Sequence, residues 1–304
     1  MRWTTLGPVN SEWSGPDFGV LEPIDVGWGV RLVPLPEWVR QDRITRLMSW
    51  LEREVYIGEA TFALLIEYEA ESLGDPDPAS KIGRMSKQDV AAENLRRANL
   101  GLWLARPSWA GFNLVISAHQ EQDDWIHRQN YQTDPIRPIE RDTTNTLTKA
   151  DIEVAKKLSD AASTLSAETS TWMAMRLLWK ALTDSWWENR FLLLWVALEA
   201  LFGSANPNET TYRLSQRLAF FLAEDRSKVR GLYDRAKEGY SARSRVVHGF
   251  RHLSLGKQRA DDLLADAEFF VRAGLTKILT DDRHLQAFAG KGQREDFLDS
   301  LVFG

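Results

Sequence analysis

Between Tyr240 and Gly249 the chain reads Tyr-Ser-Ala-Arg-Ser-Arg-Val-Val-His-Gly. Arg243, Ser244 and His248 therefore fall within two turns of an expected helix that Gly249 would end. An arginine and a histidine are the two groups that can cleave a phosphodiester without a metal. The guanidinium holds a phosphate through paired N–H donors and stays charged, and the imidazole moves a proton near neutral pH. The spacing alone is weak evidence. With 27 arginines and 5 histidines in 304 residues, an arginine followed by a histidine after four to six positions is expected about once by chance. Arg245 and His252 satisfy the same pattern, and His248 with His252 has the i, i+4 spacing used for zinc. Gly249 interrupts both of these alternatives, and no third metal ligand is evident, so neither a metal nor a cofactor is expected.

The surroundings of the pair are unusual in charge. From Arg226 to Arg259 there are ten Lys/Arg against Asp234 and Glu238, which leaves 28 cations against 41 acids in the rest of the chain. A local phosphate-attracting patch on an otherwise acidic protein is one reading, and a solvated cationic helix face is the other. Arg235, Lys237, Arg245 and Arg251 are the candidates to hold RNA within the patch. A net charge of −5 argues against nucleic acid coating the whole surface.

The elements that must position these residues are helices. Thr146 or Thr148 is placed to cap a helix running to about Leu165. Trp172, Met175, Trp179, Leu182 and Trp186 form an apolar stripe one helix face wide, read as core. Trp187, Phe191, Leu194, Leu198 and Leu201 repeat it and end at Gly203. Thr211 to Leu222 is the next expected helix. Asp225 caps another that runs towards His248, with Gly239 as a break or a weak point. A last long helix, about Lys257 to Leu279, carries Leu264, Ala267, Val271, Leu275 and Ile278. Short connections between such helices imply a bundle.

The first ~140 residues read differently. Pro23, Pro34 and Pro36 punctuate short apolar runs. Pro36 to Leu51 is read as a helix, Leu65 to Glu71 as a strand and Ser86 to Leu104 as a helix, while Asn113–Ala118 and Trp125–Ile136 are strand or loop. His119 and His127 have no partner at ligand spacing and are read as packing or surface histidines. The expected fold is therefore mainly α: a mixed α/β region over 1–142, of unassigned role, followed by a helical bundle over 143–304.

Composition narrows the class further. An apolar share of 43% with 11% aromatics gives a full core, and the absence of cysteine excludes disulfides and thiolate-bound metals. Met1-Arg2-Trp3-Thr4-Thr5 lacks a signal-peptide stretch, and the apolar run from Phe191 to Phe202 is too short to span a bilayer and contains Glu199. No membrane partner is expected, and cytoplasmic residence follows.

The carboxy-terminal half resembles the HEPN superfamily, most closely its ApeA-like branch. The resemblance is carried by the run Trp195 to Phe202, by Arg217 to Leu222, by Leu232-Tyr233 and by Tyr240 to Gly249, with Val271 to Leu275 and Phe297 to Gly304 similar as well. It covers roughly residues 150–304. It implies a metal-independent endoribonuclease, commonly dimeric, with defence or toxin roles in prokaryotes. The family motif maps onto Arg243 and His248, with Ser244 as the polar residue after the arginine. A 2′-hydroxyl would attack the adjacent phosphate while His248 moves the proton and Arg243 stabilises the added charge. Glu199, on an apolar helix, either orients Arg217 or Arg243 or faces solvent, and Tyr240 either touches RNA or packs the bundle. Phe250 stands where nucleotidylated members of the family carry tyrosine.

Five residues along a helix rotate by about 140°, so Arg243 and His248 cannot share one face. Either Gly249 lets His248 turn back, or the site is composite across a two-fold axis in a homodimer. A regulatory protein or a phage-derived trigger would be a further partner. A non-catalytic RNA- or protein-binding bundle, or a purely dimerising scaffold, are the competing expectations.

Overall fold

The computed structural model describes residues 1–10, 22–72, 74–78, 85–137, 147–204, 210–249 and 256–303. The chain divides into two compact units, Met1–Ile136 with Asp142–Ser163, and Arg137–Arg141 with Thr164–Gly304.

The first unit is built on six antiparallel strands. They are β1 (Arg2–Asn10), β2 (Ile24–Gly27), β3 (Val30–Pro34), β4 (Ala60–Glu69), β5 (Leu114–Glu121) and β6 (Asp124–Gln132), in the order β2-β3-β4-β1-β5-β6. Both faces of the sheet are covered, and β4 shows how. Leu64 and Ile66 join one apolar cluster while Ala63 and Leu65 join the other. This period of two explains why Ala63-Leu64-Leu65-Ile66 is continuously apolar and not alternating.

Between β3 and β4 lies α1 (Asp42–Thr45), and after β4 comes α2 (Lys87–Ala105). Ser86 caps α2 with a reciprocal box to Asp89. The expected helix over Pro36–Leu51 is not continuous. It breaks into a 3-10 turn at Glu37–Arg40, then α1, then a π-helical turn at Leu51–Ile57. Gln41, extended at φ −68 and ψ 139, interrupts the backbone ladder. The segment instead lays Trp38, Val39, Ile44 and Met48 on the sheet, and Trp38 stacks on Trp125 at 4.3 Å.

The unit closes with α3 (Lys149–Ser163), capped by Thr148, whose hydroxyl accepts from the Asp151 backbone N–H at 3.3 Å. Ile152 and Ala155 of α3 lie in the same apolar cluster as Leu95 and Ala98 of α2. The division therefore differs from the expected boundary at 142/143, because the apolar face of α3 is buried against the sheet unit. His119 is a packing residue as read. It is buried against Trp3, bonded to Glu121 at 2.6 Å, and accepts from Arg128 at 3.2 Å.

The second unit is helical: α4 (Ser170–Thr183), α5 (Trp187–Phe202), α6 (Thr210–Leu222), α7 (Arg226–Val247), α8 (Lys257–Thr280), α9 (Asp282–Ala289) and α10 (Lys291–Phe303). The chain is mainly α with an amino-terminal α/β unit, and no described helix is long and apolar enough to cross a membrane. The stripe Trp172, Met175 and Leu182 is buried as expected, but Trp186 is 71% exposed. Helix α4 ends at Thr183, and Trp186 becomes the N-cap of α5, with its backbone N–H on the Asp184 carboxylate at 2.7 Å.

Arg217 of α6 is the largest buried cation of the unit. It grips Asp299 of α10 through two nitrogens at 3.0 and 2.8 Å and donates to the Gly203 carbonyl at 3.1 Å. It thereby satisfies a carbonyl left open at the end of α5 and fixes α10 on the bundle.

Gly239 does not break α7. It is buried against Trp195 of α5, where an added Cβ would stand 2.4 Å from the indole Cζ2. Gly239→Ala is accordingly expected to lose about 1–3 kcal/mol by overpacking, despite the better helix propensity of alanine. Gly231, on the same helix, has open space around it. Gly231→Ala is expected to gain about 0.5–1 kcal/mol. Thermal unfolding of both variants checks the pair, and a Gly239→Ala midpoint at or above wild type would refute the close approach.

Candidate functional site

Helix α5 is apolar almost throughout because it runs through the centre of the bundle, and Glu199 is its one acid after the first turn. One turn before Glu199, Trp195 is fully buried and meets the ring of Tyr240 edge-on at 5.6 Å and 88°. One turn after Gly239 stands Arg243. The Trp195–Gly239 contact thus sets the spacing of the two helices, and the next turn of each brings Glu199 to Arg243.

There the Glu199 carboxylate accepts from the Tyr240 hydroxyl at 3.0 Å and from Arg243 Nη2 at 3.2 Å, with the ion pair closing to 3.1 Å. The Arg243 guanidinium also sits 5.6 Å from the centre of the Tyr240 ring. Both charged side chains are about one-quarter exposed, so the pair is partly shielded from water. Arg243 Nε is buried without an acceptor among the described residues. Of the readings open to Glu199, orienting Arg217, orienting Arg243 or facing solvent, the geometry fits Arg243. Burial, then the charge of Glu199 and the hydrogen bond to it, pushes the Tyr240 hydroxyl above its ordinary range. Tyr240 therefore stays a donor through neutral pH and mild alkali.

His248 is the C-cap of α7. Its backbone N–H closes onto the Ser244 and Arg245 carbonyls at 3.3 and 3.1 Å, so it continues the helix in register. Gly249 follows at φ +91, the left-handed region that glycine adopts without strain, and terminates the helix. The His248 side chain is exposed, and among the described residues no hydrogen bond joins it to Arg243, Glu199 or Tyr240. Gly249 ends the helix but does not turn His248 back on Arg243. Ser244 and Arg245 are exposed on the same final turns, as is Val247 at 53%.

The cationic patch is weaker in three dimensions than along the sequence. Lys228, Arg230, Arg235, Arg243 and Arg259 pair with Glu224, Asp234, Asp266, Glu199 and Glu238. Three of these acids lie outside the Arg226–Arg259 window, and for that reason counting within it overstated the field. Arg235 is committed further, to the rings of Phe269 and Phe270 at 5.3 and 5.2 Å. Arg226, Lys237 and Arg245 have no ion pair among the described residues. Arg251 and His252 lie outside the described residues, and with them the alternative pairings of Arg245 and His248. Among the described residues no three His, Asp or Glu side chains converge as a metal site.

Sequence reasoning missed Trp195 and Gly239 as the residues that position the site. The signal was present in their i, i+4 relation to Glu199 and Arg243, but nothing in the sequence said that the two helices touch there. Comparison with protein-family models, with curated proteins and with solved structures returns no match.

The Tyr240–Glu199 bond gives a pH signature. A tyrosine with a raised folded-state pKa adds stability that is fully present below its unfolded pKa near 10 and is lost as pH climbs through the folded value. Tyr240→Phe is expected to cost about 1 kcal/mol at pH 7, and the gap to wild type should narrow above about pH 10. Urea unfolding between pH 7 and 11 checks this. A gap that stays constant across that range would contradict the bond.

Proposed function

We propose that the chain is a metal-independent endoribonuclease of the HEPN type, acting in phage defence or as a toxin-like effector. The observation that carries the reading is the state of Arg243. It is held in place by Glu199 and Tyr240, about three-quarters shielded, on the last turns of a helix that ends in an exposed histidine. A guanidinium has five N–H donors, and Glu199 engages one of its terminal nitrogens, so donors remain for a phosphate oxygen.

The 2′-hydroxyl oxygen would attack the adjacent phosphorus and His248 would take its proton. The phosphorus–5′-oxygen bond breaks, leaving a 2′,3′-cyclic phosphate and a 5′-hydroxyl, and a second imidazole protonates the departing oxygen. Arg243 stabilises the charge added at phosphorus. About 140° of helix rotation separates Arg243 from His248, so one copy alone supplies the pair poorly. A homodimer about a two-fold axis near the end of α7 brings in the second imidazole, and exposed Val247 offers apolar surface for such a contact.

A second reading is a non-catalytic RNA- or protein-binding bundle, with Arg243 serving as a strut. Its support is the Glu199 ion pair, which already neutralises the arginine.

Incubation of the full chain with labelled RNA in EDTA decides between them. Cleavage is expected to survive chelation and to fall by at least ~100-fold in Arg243→Ala and in His248→Ala. Mixing wild type with an equal amount of His248→Ala should lower activity to about half, because only the dimers with two wild-type copies keep both imidazoles. Binding without cleavage at any protein concentration would support the binding bundle. Cleavage by two active variants would remove both residues from the chemistry, and undiminished activity on mixing would place the complete site within one chain.

A further inference from the structure

Along α7 one arc carries cations together with aromatic and polar groups. Taking Tyr233 as zero and about 100° per residue, Arg226, Arg230, Lys237, Tyr240, Ser244 and His248 all fall between about −20° and +60°. The acids Asp234 and Glu238 fall beyond that arc, at about +100° and +140°. Arg226, Arg230, Lys237, Ser244 and His248 are exposed, and the two tyrosines are half-buried, Tyr240 with its hydroxyl on Glu199. From Arg226 to His248 the arc is about 33 Å long. Its far end opens into a groove of about 510 Å³ between α6, α7 and α10. That volume is in the range of small-ligand sites.

Two tyrosines stand at the groove. Tyr212 of α6, 54% exposed, meets Tyr233 edge-on at 6.1 Å and 75°. Gln216 donates to the Tyr212 hydroxyl at 3.1 Å, which holds the ring and leaves the amide oxygen as an acceptor. Arg226, without an ion pair among the described residues, lines the same groove, as does Arg230, which is neutralised by Asp234. Farther along, the Lys237 ammonium lies 5.9 Å from the centre of the Tyr233 ring.

We propose that this arc is a track for single-stranded RNA and that the Tyr212/Tyr233 groove anchors one of its nucleotides remote from Arg243. The inference rests on the nuclease reading and names where its substrate runs. An unpaired strand presents an apolar base face and a phosphate at each step. Aromatic rings interleaved with cations match that alternation, and a duplex, with its bases stacked inside, does not. Arg230 and Arg243 are about 20 Å apart along the helix axis, about six phosphates at the ~3.4 Å spacing of a duplex strand and fewer in an extended one. The anchor therefore acts on substrates several nucleotides long.

The test uses the full-length His248→Ala chain, which binds without cutting, and a labelled 12-nucleotide single-stranded RNA in EDTA, followed by fluorescence anisotropy. Adding Tyr212→Ala is expected to weaken binding about tenfold, the loss of one base–aromatic stack. Adding Arg226→Ala is expected to lower the salt dependence by about one charge. A 12-base-pair duplex should be indifferent to Tyr212→Ala. In the cleaving chain, Tyr212→Ala should raise KM for the 12-mer with kcat kept. Tyr212 is exposed, so its truncation leaves the core intact, and an unchanged melting curve verifies that. Equal affinity with and without Tyr212, or equal weakening on single strand and duplex, overturns the track. If the 12-mer is cut but Tyr212 and Arg226 are silent, the track fails and the nuclease stands. Tyr212-dependent binding in a chain that cuts nothing sinks the nuclease and keeps the track.

Discussion

The candidate site depends on one close approach, that of the Trp195 indole to the backbone of α7 at Gly239. A glycine is required there because any Cβ would enter the ring. The missing side chain lets two helices come near enough for Glu199 to reach Tyr240 and Arg243 one turn farther on. The energetic logic is that of a buried aromatic fixing geometry and a partly shielded ion pair using it. The indole burial supplies about 1.5–3 kcal/mol or more of non-directional stabilisation, and the ion pair, one-quarter exposed on both sides, adds little of its own but sets direction. Arg243 is therefore oriented by the core and not by solvent-exposed contacts.

The two ends of α7 differ in what holds them. At its start Asp225 caps the helix through Ser227, and the charges nearby are locally balanced by Glu224 and Asp234. At its end Gly249 stops the helix with His248, Val247, Arg245 and Ser244 all turned outward. Arg243 faces inward on the same turns. A single helix end thus separates a fixed cation from an exposed imidazole. That separation is the physical reason a second copy of the chain enters the proposed chemistry.

The amino-terminal unit follows a different rule. Its sheet has no solvent face, since α2 and α3 cover one side and the broken segment from Glu37 to Ile57 covers the other. Two-sided burial removes the alternating pattern by which strands are usually recognised, and β1 and most of β4 were accordingly harder to read than α2. The neighbour of helix α3 is hidden from the sequence for a related reason. Its apolar stripe declares that one face is buried but not what buries it.

Local signals were legible without coordinates. The Asp225 cap, a threonine start of α3 at Thr146 or Thr148, the Gly203 and Gly249 stops, and the stripes of α5 and α8 each follow from interactions within a few residues. So did Arg243, Ser244 and His248 as a group worth examining, because their types and order lie in one short segment. What required the tertiary structure was every relation across elements: Glu199 with Arg243, Trp195 with Gly239, Arg217 with Asp299, and Glu224, Asp266 and Glu199 neutralising cations that a linear count left free. Caps, periodicity and helix stops are decided by backbone geometry over one or two turns. Charge balance and the direction of a side chain are decided by whatever the packing of apolar faces happens to bring alongside.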